Sequence, residues 1–132
     1  MPQFNSNAAN TATVGLGKFV MGYIVAAYFT ETGDSEQPSS EATISNEAIA
    51  TAVTECEAFQ AEAKPILDAA YLSGYTETQA GHDFWFTRNG HGVGYWCRDE
   101  LTDEQGDSLS DIARRAGRVD LYEGDDGLLY FA

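Results

Sequence analysis

The chain has 132 residues, enough for one domain with a buried core, and its 43% hydrophobic content argues against global disorder. It carries 21 acidic and 7 basic residues, for a net charge of −14. Such a negative field repels nucleic acid and anionic membranes and attracts cations and basic proteins, although solubility alone would also account for it.

The N-terminal part of the chain predicts helices joined by a linker. Residues 1–13 are small and polar and predict a flexible N-terminus, followed by one domain over 14–132. Residues 16–29 have apolar positions at helical spacing, although their glycines and β-branched residues leave a strand as the alternative. Residues 30–45 have the composition of a polar linker.

An apolar run at 19–29 bears on where the protein is located. It resembles the core of a signal peptide, but it follows a polar leader, lacks a clear cleavage site and is too short to span a bilayer. We therefore expect a cytoplasmic protein without a membrane partner.

A second helix is predicted from Ser45, whose side chain can cap its N-terminus. Pro65 should stop or kink this helix, and a short helical piece should follow and end at Gly74. The helix has a buried apolar stripe, and its opposite face carries three acidic residues, Glu47, Glu55 and Glu62.

The sequence HDFWFTRNGHGVGYWCR (82–98) is predicted to form a β-hairpin. Asn89-Gly90 is a strong signal for a type I′ turn, which requires positive φ at both central residues. In this register Arg88 faces His91, and Trp85 lies across Gly94. Phe84, Phe86, Val93 and Tyr95 would share the core face.

The C-terminal part predicts a helix and a second hairpin. Ser108 and Asp111 resemble a capping box, Gly117 is a natural helix end, and Asp125-Asp126-Gly127 predicts a turn. The predicted fold is therefore α+β: N-terminal helices, then β-hairpin, helix and β-hairpin, which form a small antiparallel sheet.

No catalytic, cofactor or metal site stands out. His82, Asp83, Arg88 and His91 could serve a small enzyme, but no serine accompanies them and their spacing matches no recurring metal site. The acids near Asp126 do not match an EF-hand loop. Whether Cys56 and Cys97 form a disulfide is left open.

Two segments resemble a known family. GHDFWFTRNGHGVGYW (81–96) and DLYEGDDGLLY (120–130) are similar to small acidic proteins from phages and phage-like regions of bacterial genomes. These typically read HDFW-x-TRNGHG-x-GFWDR and then DLY-x-GDDG-x-I/LY. Cys97 replaces the usual Asp, and Tyr95 the usual Phe. The resemblance implies a phage or mobile-element product acting inside a bacterial cell.

We expect this protein to act by binding a basic or nucleic-acid-binding host protein, without binding nucleic acid itself. A DNA-mimic inhibitor of a host defence nuclease would place carboxylates in a groove built for phosphates. The alternative is a phage accessory module that binds through aromatic anchors, Trp85, Trp96 and Tyr122. Self-association is left open. The candidate partner-binding residues are Glu47, Glu55, Glu62, Trp85, Arg88, His91, Asp120, Glu123, Asp125 and Asp126.

Overall fold

The computed structural model describes residues 16–132, so the flexible N-terminus predicted for 1–13 lies outside the described residues. The α-helices of this part are α1 (Lys18–Glu31), α2 (Asn46–Leu72), α3 (Glu77–Arg88) and α4 (Asp103–Arg115). A short 3₁₀ helix (Tyr95–Cys97) lies between α3 and α4, and the chain ends with strands β1 (Leu121–Glu123) and β2 (Leu129–Phe131). The predicted α+β class, with helices followed by a small antiparallel hairpin, is confirmed.

The first predicted hairpin is wrong, because its first strand is the helix α3. Thr76 caps this helix by accepting a hydrogen bond from the Gln79 N–H at 3.1 Å. Asn89 has φ −99° and Gly90 has φ +71°, so the pair is not a type I′ turn. The Gly90 N–H donates to Thr87 O, and the His91 N–H donates to Phe86 O. These two bonds define a Schellman motif, which needs the same positive-φ glycine as the predicted turn.

The boundaries of two other helices also differ from the predictions. Ser45 caps α2 as predicted, but the helix continues through Pro65 to Leu72, because its buried stripe extends beyond the proline. Thr102, rather than Ser108, caps α4, in a capping box with Gln105. Gly117, at φ +82°, follows the end of α4 as predicted.

The closest helix packing joins α1 and α3. A Cβ on Gly81 would lie 2.0 Å from Phe19 O, and a Cβ on Gly22 would lie 2.3 Å from Thr78 O. Only glycine fits at either position without moving a backbone. This contact presses one face of α3 into a cluster of buried rings, in which Phe59 and Phe84 stack at 4.3 Å.

The C-terminal hairpin closes one side of this core. Its strands pair antiparallel with Tyr122 opposite Tyr130, and the turn falls at Asp125-Asp126-Gly127 as predicted. Phe131 packs against Trp85 with ring centroids 5.8 Å apart. On the outer edge of β2, Ile44 forms a parallel bridge with Leu129, so part of the polar linker joins the sheet.

We predict that Gly81→Ala lowers the free energy of unfolding by about 1–3 kcal/mol, because the new methyl group would clash with the backbone carbonyl of Phe19, which cannot rotate away. The matched control is Gly92→Ala, whose Cβ has nothing within 4 Å and should change stability by less than ~0.5 kcal/mol. Urea denaturation of both variants measures the difference. Equal stabilities would contradict the close packing of α1 on α3.

Candidate functional site

The polar residues of segment 82–98 belong to separate structural networks. Asp83 is fully buried and accepts hydrogen bonds from Tyr75 Oη at 2.6 Å and Gln79 Nε2 at 3.1 Å. The guanidinium of Arg98 binds the same carboxylate in a two-pronged ion pair, with its shortest contact at 2.7 Å. This pair fastens the 3₁₀ segment to α3, so Asp83 is not available to a substrate.

Arg88 is the second buried charge. Its side chain is 3% exposed and forms an ion pair with Glu55. Nη1 also donates to Tyr23 Oη at 3.0 Å, while Nε donates to Gly117 O at 2.7 Å and Nη2 to Ala116 O at 3.0 Å. Arg88 therefore joins α1, α2, α3 and the end of α4. The predicted pairing of Arg88 beside His91 in a hairpin is wrong.

The two histidines both lie near the ring of Phe86. The centroid of Phe86 is 6.4 Å from that of His82 and 5.9 Å from that of His91. Burial lowers the pKa of His82 below its ordinary 6.5, against the opposing effect of the neighbouring Asp83. His82, Asp83, Arg88 and His91 thus have different partners, and none of the contacts brings all four to a shared point.

A pocket of about 430 Å³ lies between α2 and α4. Phe59, Phe84 and Arg88 line it, and two of the predicted binding residues, Glu55 and Glu62, lie on its α2 side. Glu55 is held by Arg88, and Glu62 pairs with Arg115 at 2.8 Å. The predicted row of Glu47, Glu55 and Glu62 is therefore two-thirds occupied by internal ion pairs.

Of the proposed aromatic anchors, Trp85 belongs to the core and the other two are exposed. Trp85 has no exposed surface, and its Nε1 donates to Thr30 Oγ1 at 2.8 Å. Trp96 and Tyr122 are 41% and 45% exposed. A Cβ on Gly94 would meet the Trp96 ring and Thr87 Oγ1, so Trp96 rather than Trp85 explains this glycine.

The remaining predicted binding residues lie on the surface near the C-terminal hairpin. Glu47, in the first turn of α2, is exposed. Asp126 accepts from the Leu128 N–H at 3.0 Å and from Tyr130 Oη at 2.5 Å, which raises the pKa of Tyr130 to about 12. The other three are Asp120, Glu123 and Asp125, all exposed.

A further acidic surface, on α4, was not predicted from the sequence. Asp103, Asp107 and Asp111 are exposed and follow one another at intervals of four residues, about 6 Å along the helix. We call these three residues the α4 stripe. The four-residue spacing was a signal available in the sequence, but the helix was predicted to begin too late to include it.

Both cysteines are free thiols in the structure of residues 16–132. Cys56 is buried and Cys97 is exposed. Burial raises the pKa of the Cys56 thiol, which disfavours the reactive thiolate. Over this range no group of three or more His, Cys, Asp or Glu residues is arranged to hold a metal ion. No helix within it is long and apolar enough to cross a membrane.

We predict that Trp85→Ala lowers the free energy of unfolding by about 3–5 kcal/mol, because it empties a closed part of the core. The matched control is Trp96→Ala, which removes a ring that is 41% exposed and should cost clearly less. Thermal and urea denaturation test this. A Trp85→Ala protein as stable as Trp96→Ala would show that Trp85 lies on the surface.

We also predict that stability falls as the pH is lowered through 6.5. The pKa of His82 is lower in the folded protein than in the unfolded chain, so His82 contributes its full stabilisation at pH values above the unfolded pKa. As the pH falls, the unfolded chain binds the proton more tightly than the folded protein does, and this stabilisation is lost. Replacing His82 with Gln should flatten the pH dependence of the unfolding free energy below pH 6.5. His91→Gln is the control, and an unchanged slope in the His82 variant would contradict the prediction.

Comparison with known proteins adds no relative. No family model, no curated protein sequence and no solved structure matches this chain.

Proposed function

We propose that this protein acts by binding a basic protein through exposed carboxylates, in the manner of a DNA mimic. The observation that carries the proposal is that the acidic excess of the chain lies on its surface. All 21 carboxylates lie within residues 16–132, and all but Glu31, Glu55 and Asp83 are exposed. Arg88 and Arg98 pair with Glu55 and Asp83, and these two pairs cancel, so the other 19 carboxylates and five cations carry the net charge of −14.

The two arginines at the end of α4 form no ion pair with the α4 stripe. Arg115, one turn after Asp111, pairs with Glu62 on α2 instead. Arg114 lies over the ring of Trp96, at 5.4 Å from its centroid. Like charges four residues apart destabilise a helix by about 0.2–0.5 kcal/mol per pair. Asp107 and Asp111 bring such a cost, and no ion pair within residues 16–132 offsets it. A basic partner would relieve this repulsion.

The kind of partner follows from the chemistry of the surface. A groove of Lys and Arg that binds phosphates also accepts a row of carboxylates, because both are anionic hydrogen-bond acceptors. A nucleic-acid-binding protein of a bacterial host is therefore the partner we propose. The resemblance to small acidic phage proteins supports this choice and makes a defence nuclease the first candidate to test.

We predict that this binding is electrostatic and competes with DNA. Bacterial nucleic-acid-binding proteins captured on the immobilised protein should be released by raising salt and by added duplex DNA. The triple variant Asp103→Asn, Asp107→Asn, Asp111→Asn should bind a captured partner roughly tenfold more weakly, at about 0.5 kcal/mol for each exposed pair.

The control for this prediction changes the same number of charges elsewhere. Asp34→Asn, Glu57→Gln and Glu77→Gln remove three exposed carboxylates from other surfaces and should leave most of the affinity. Circular dichroism verifies that both triple variants remain folded. Capture that resists high salt, or that DNA does not displace, would count decisively against the mimic.

A further inference from the structure

A groove runs along the free edge of strand β1. It has a volume of about 530 Å³ and is lined on one side by all three β1 residues and on the other by the segment 31–38. No β2 residue lines it, so it lies on the side of β1 away from the hairpin partner. We call it the edge groove.

The main chain of β1 presents unpaired groups at this edge. Asp120 and Ala132 exchange both of their N–H to O=C bonds, and in an antiparallel pair such bonded residues alternate with non-bonded ones. Tyr122 is therefore bonded to Tyr130, whereas the N–H and C=O groups of Leu121 and Glu123 point away from β2. No residue of the described chain bonds to them.

The opposite edge of the hairpin shows the contrast. There the Leu129 N–H donates to Thr43 O, and the Ser45 N–H donates to Leu129 O, each at 2.9 Å. Within residues 16–132, the chain thus covers the edge of β2 with a segment of its own and leaves that of β1 open. An open strand edge is a template for pairing with another extended chain.

The wall opposite β1 is held in place by its own hydrogen bonds. Gln37 Nε2 donates to Thr30 O at 3.0 Å, and the Gly33 N–H donates to Pro38 O at 2.9 Å. The groove is consequently preformed, and a ligand would not have to order this segment on binding.

The charge of the edge groove selects its occupant. Glu31, Glu36 and Glu123 line it, no basic residue does, and none of the three carboxylates forms an ion pair with residues 16–132. The exposed ring of Tyr122 adds a surface on which a cationic side chain can pack. A second copy of this chain would bring the same carboxylates to the same edge, and nucleic acid would bring phosphates, so both are repelled.

We propose that the edge groove binds an extended, lysine- or arginine-rich segment of the partner, which adds to β1 as a third strand. Its main chain pairs with Leu121 and Glu123, and its basic side chains meet Glu31, Glu36 and Glu123. Alternate side chains of a strand lie on the same face, so basic residues at every second position suit the groove. This inference rests on the proposed function, since it names one place and mode of basic-protein binding.

The test uses a synthetic eight-residue peptide of alternating Lys and Val, added to the full-length protein at low salt. Binding is followed by the amide signals and hydrogen exchange of the ¹⁵N-labelled protein. We expect the Leu121 and Glu123 amides to gain protection from exchange, because strand addition gives them hydrogen bonds. The Tyr122 amide, already bonded within the hairpin, is the internal reference and should change little.

Two controls separate strand addition from simple charge attraction. The same peptide with every main-chain nitrogen methylated keeps its positive charges but donates no strand hydrogen bond, and it should bind at least tenfold more weakly. The variant Glu31→Gln, Glu36→Gln, Glu123→Gln should also lose at least tenfold in affinity. The triple variant of the α4 stripe should retain binding and the new protection.

The outcomes distinguish this inference from the proposed function. If the peptide shifts the signals of the α4 stripe but leaves Leu121 and Glu123 unprotected, strand addition is wrong and basic-protein binding stands. Equal binding of the methylated peptide would likewise overturn strand addition. If the peptide binds nowhere at low salt and no basic protein is captured, both proposals fail.

Discussion

The structure depends on one buried cation, the guanidinium of Arg88. Its donors bind Glu55 on α2, Tyr23 on α1 and the carbonyls of Ala116 and Gly117 at the end of α4. Its face also lies over the ring of Phe84, at 5.3 Å from the centroid. Moving any of these helices away from Arg88 would leave its buried charge without a partner, which is energetically costly. The contacts of Arg88 therefore hold the four helices in one arrangement. A lysine has no planar fork and could not replace these contacts.

This constraint has a consequence for the protein's surface. The side chains of Arg88 and Arg98 are bound by Glu55 and Asp83, and so they form no ion pair with the exposed carboxylates of residues 16–132. Each of these two ion pairs is neutral, so the other 19 carboxylates and five cations carry the whole net charge of −14. The interior arginines and the exposed carboxylates are two results of the same fold.

The sequence predicted the parts of this fold that depend on local signals. The Ser45 cap, the Gly117 helix end and the hairpin at Asp125-Asp126-Gly127 each follow from one or two residues, and all three are present. The prediction of a hairpin around Asn89-Gly90 was wrong, because a glycine with positive φ fits both a type I′ turn and a Schellman motif. What decides between them is the packing of α3 on α1 through Gly22 and Gly81, which is a long-range contact.

The candidate site was predictable to a similar extent. The surface positions of Asp120, Glu123, Asp125 and Asp126 followed from turn composition, whereas the internal partners of Glu55 and Glu62 depend on contacts distant in sequence. Trp85 was predicted to be an exposed anchor because the alternating pattern of this segment fits a strand, in which Trp85 faces away from Phe84 and Phe86. In the helix, Trp85 lies in the core together with Phe84, which the predicted strand had already placed there.

The two acidic surfaces differ in what they can recognise. The α4 stripe offers only side-chain carboxylates, which attract any basic surface and read little of its shape. The edge groove combines carboxylates with fixed main-chain donors and acceptors, and these require an extended partner in one register. Attraction by the carboxylates would accelerate association with a basic partner, whereas strand pairing at β1 would slow its dissociation. The two proposals together imply that basic partners first meet the α4 stripe and that those with an extended basic segment are retained at β1.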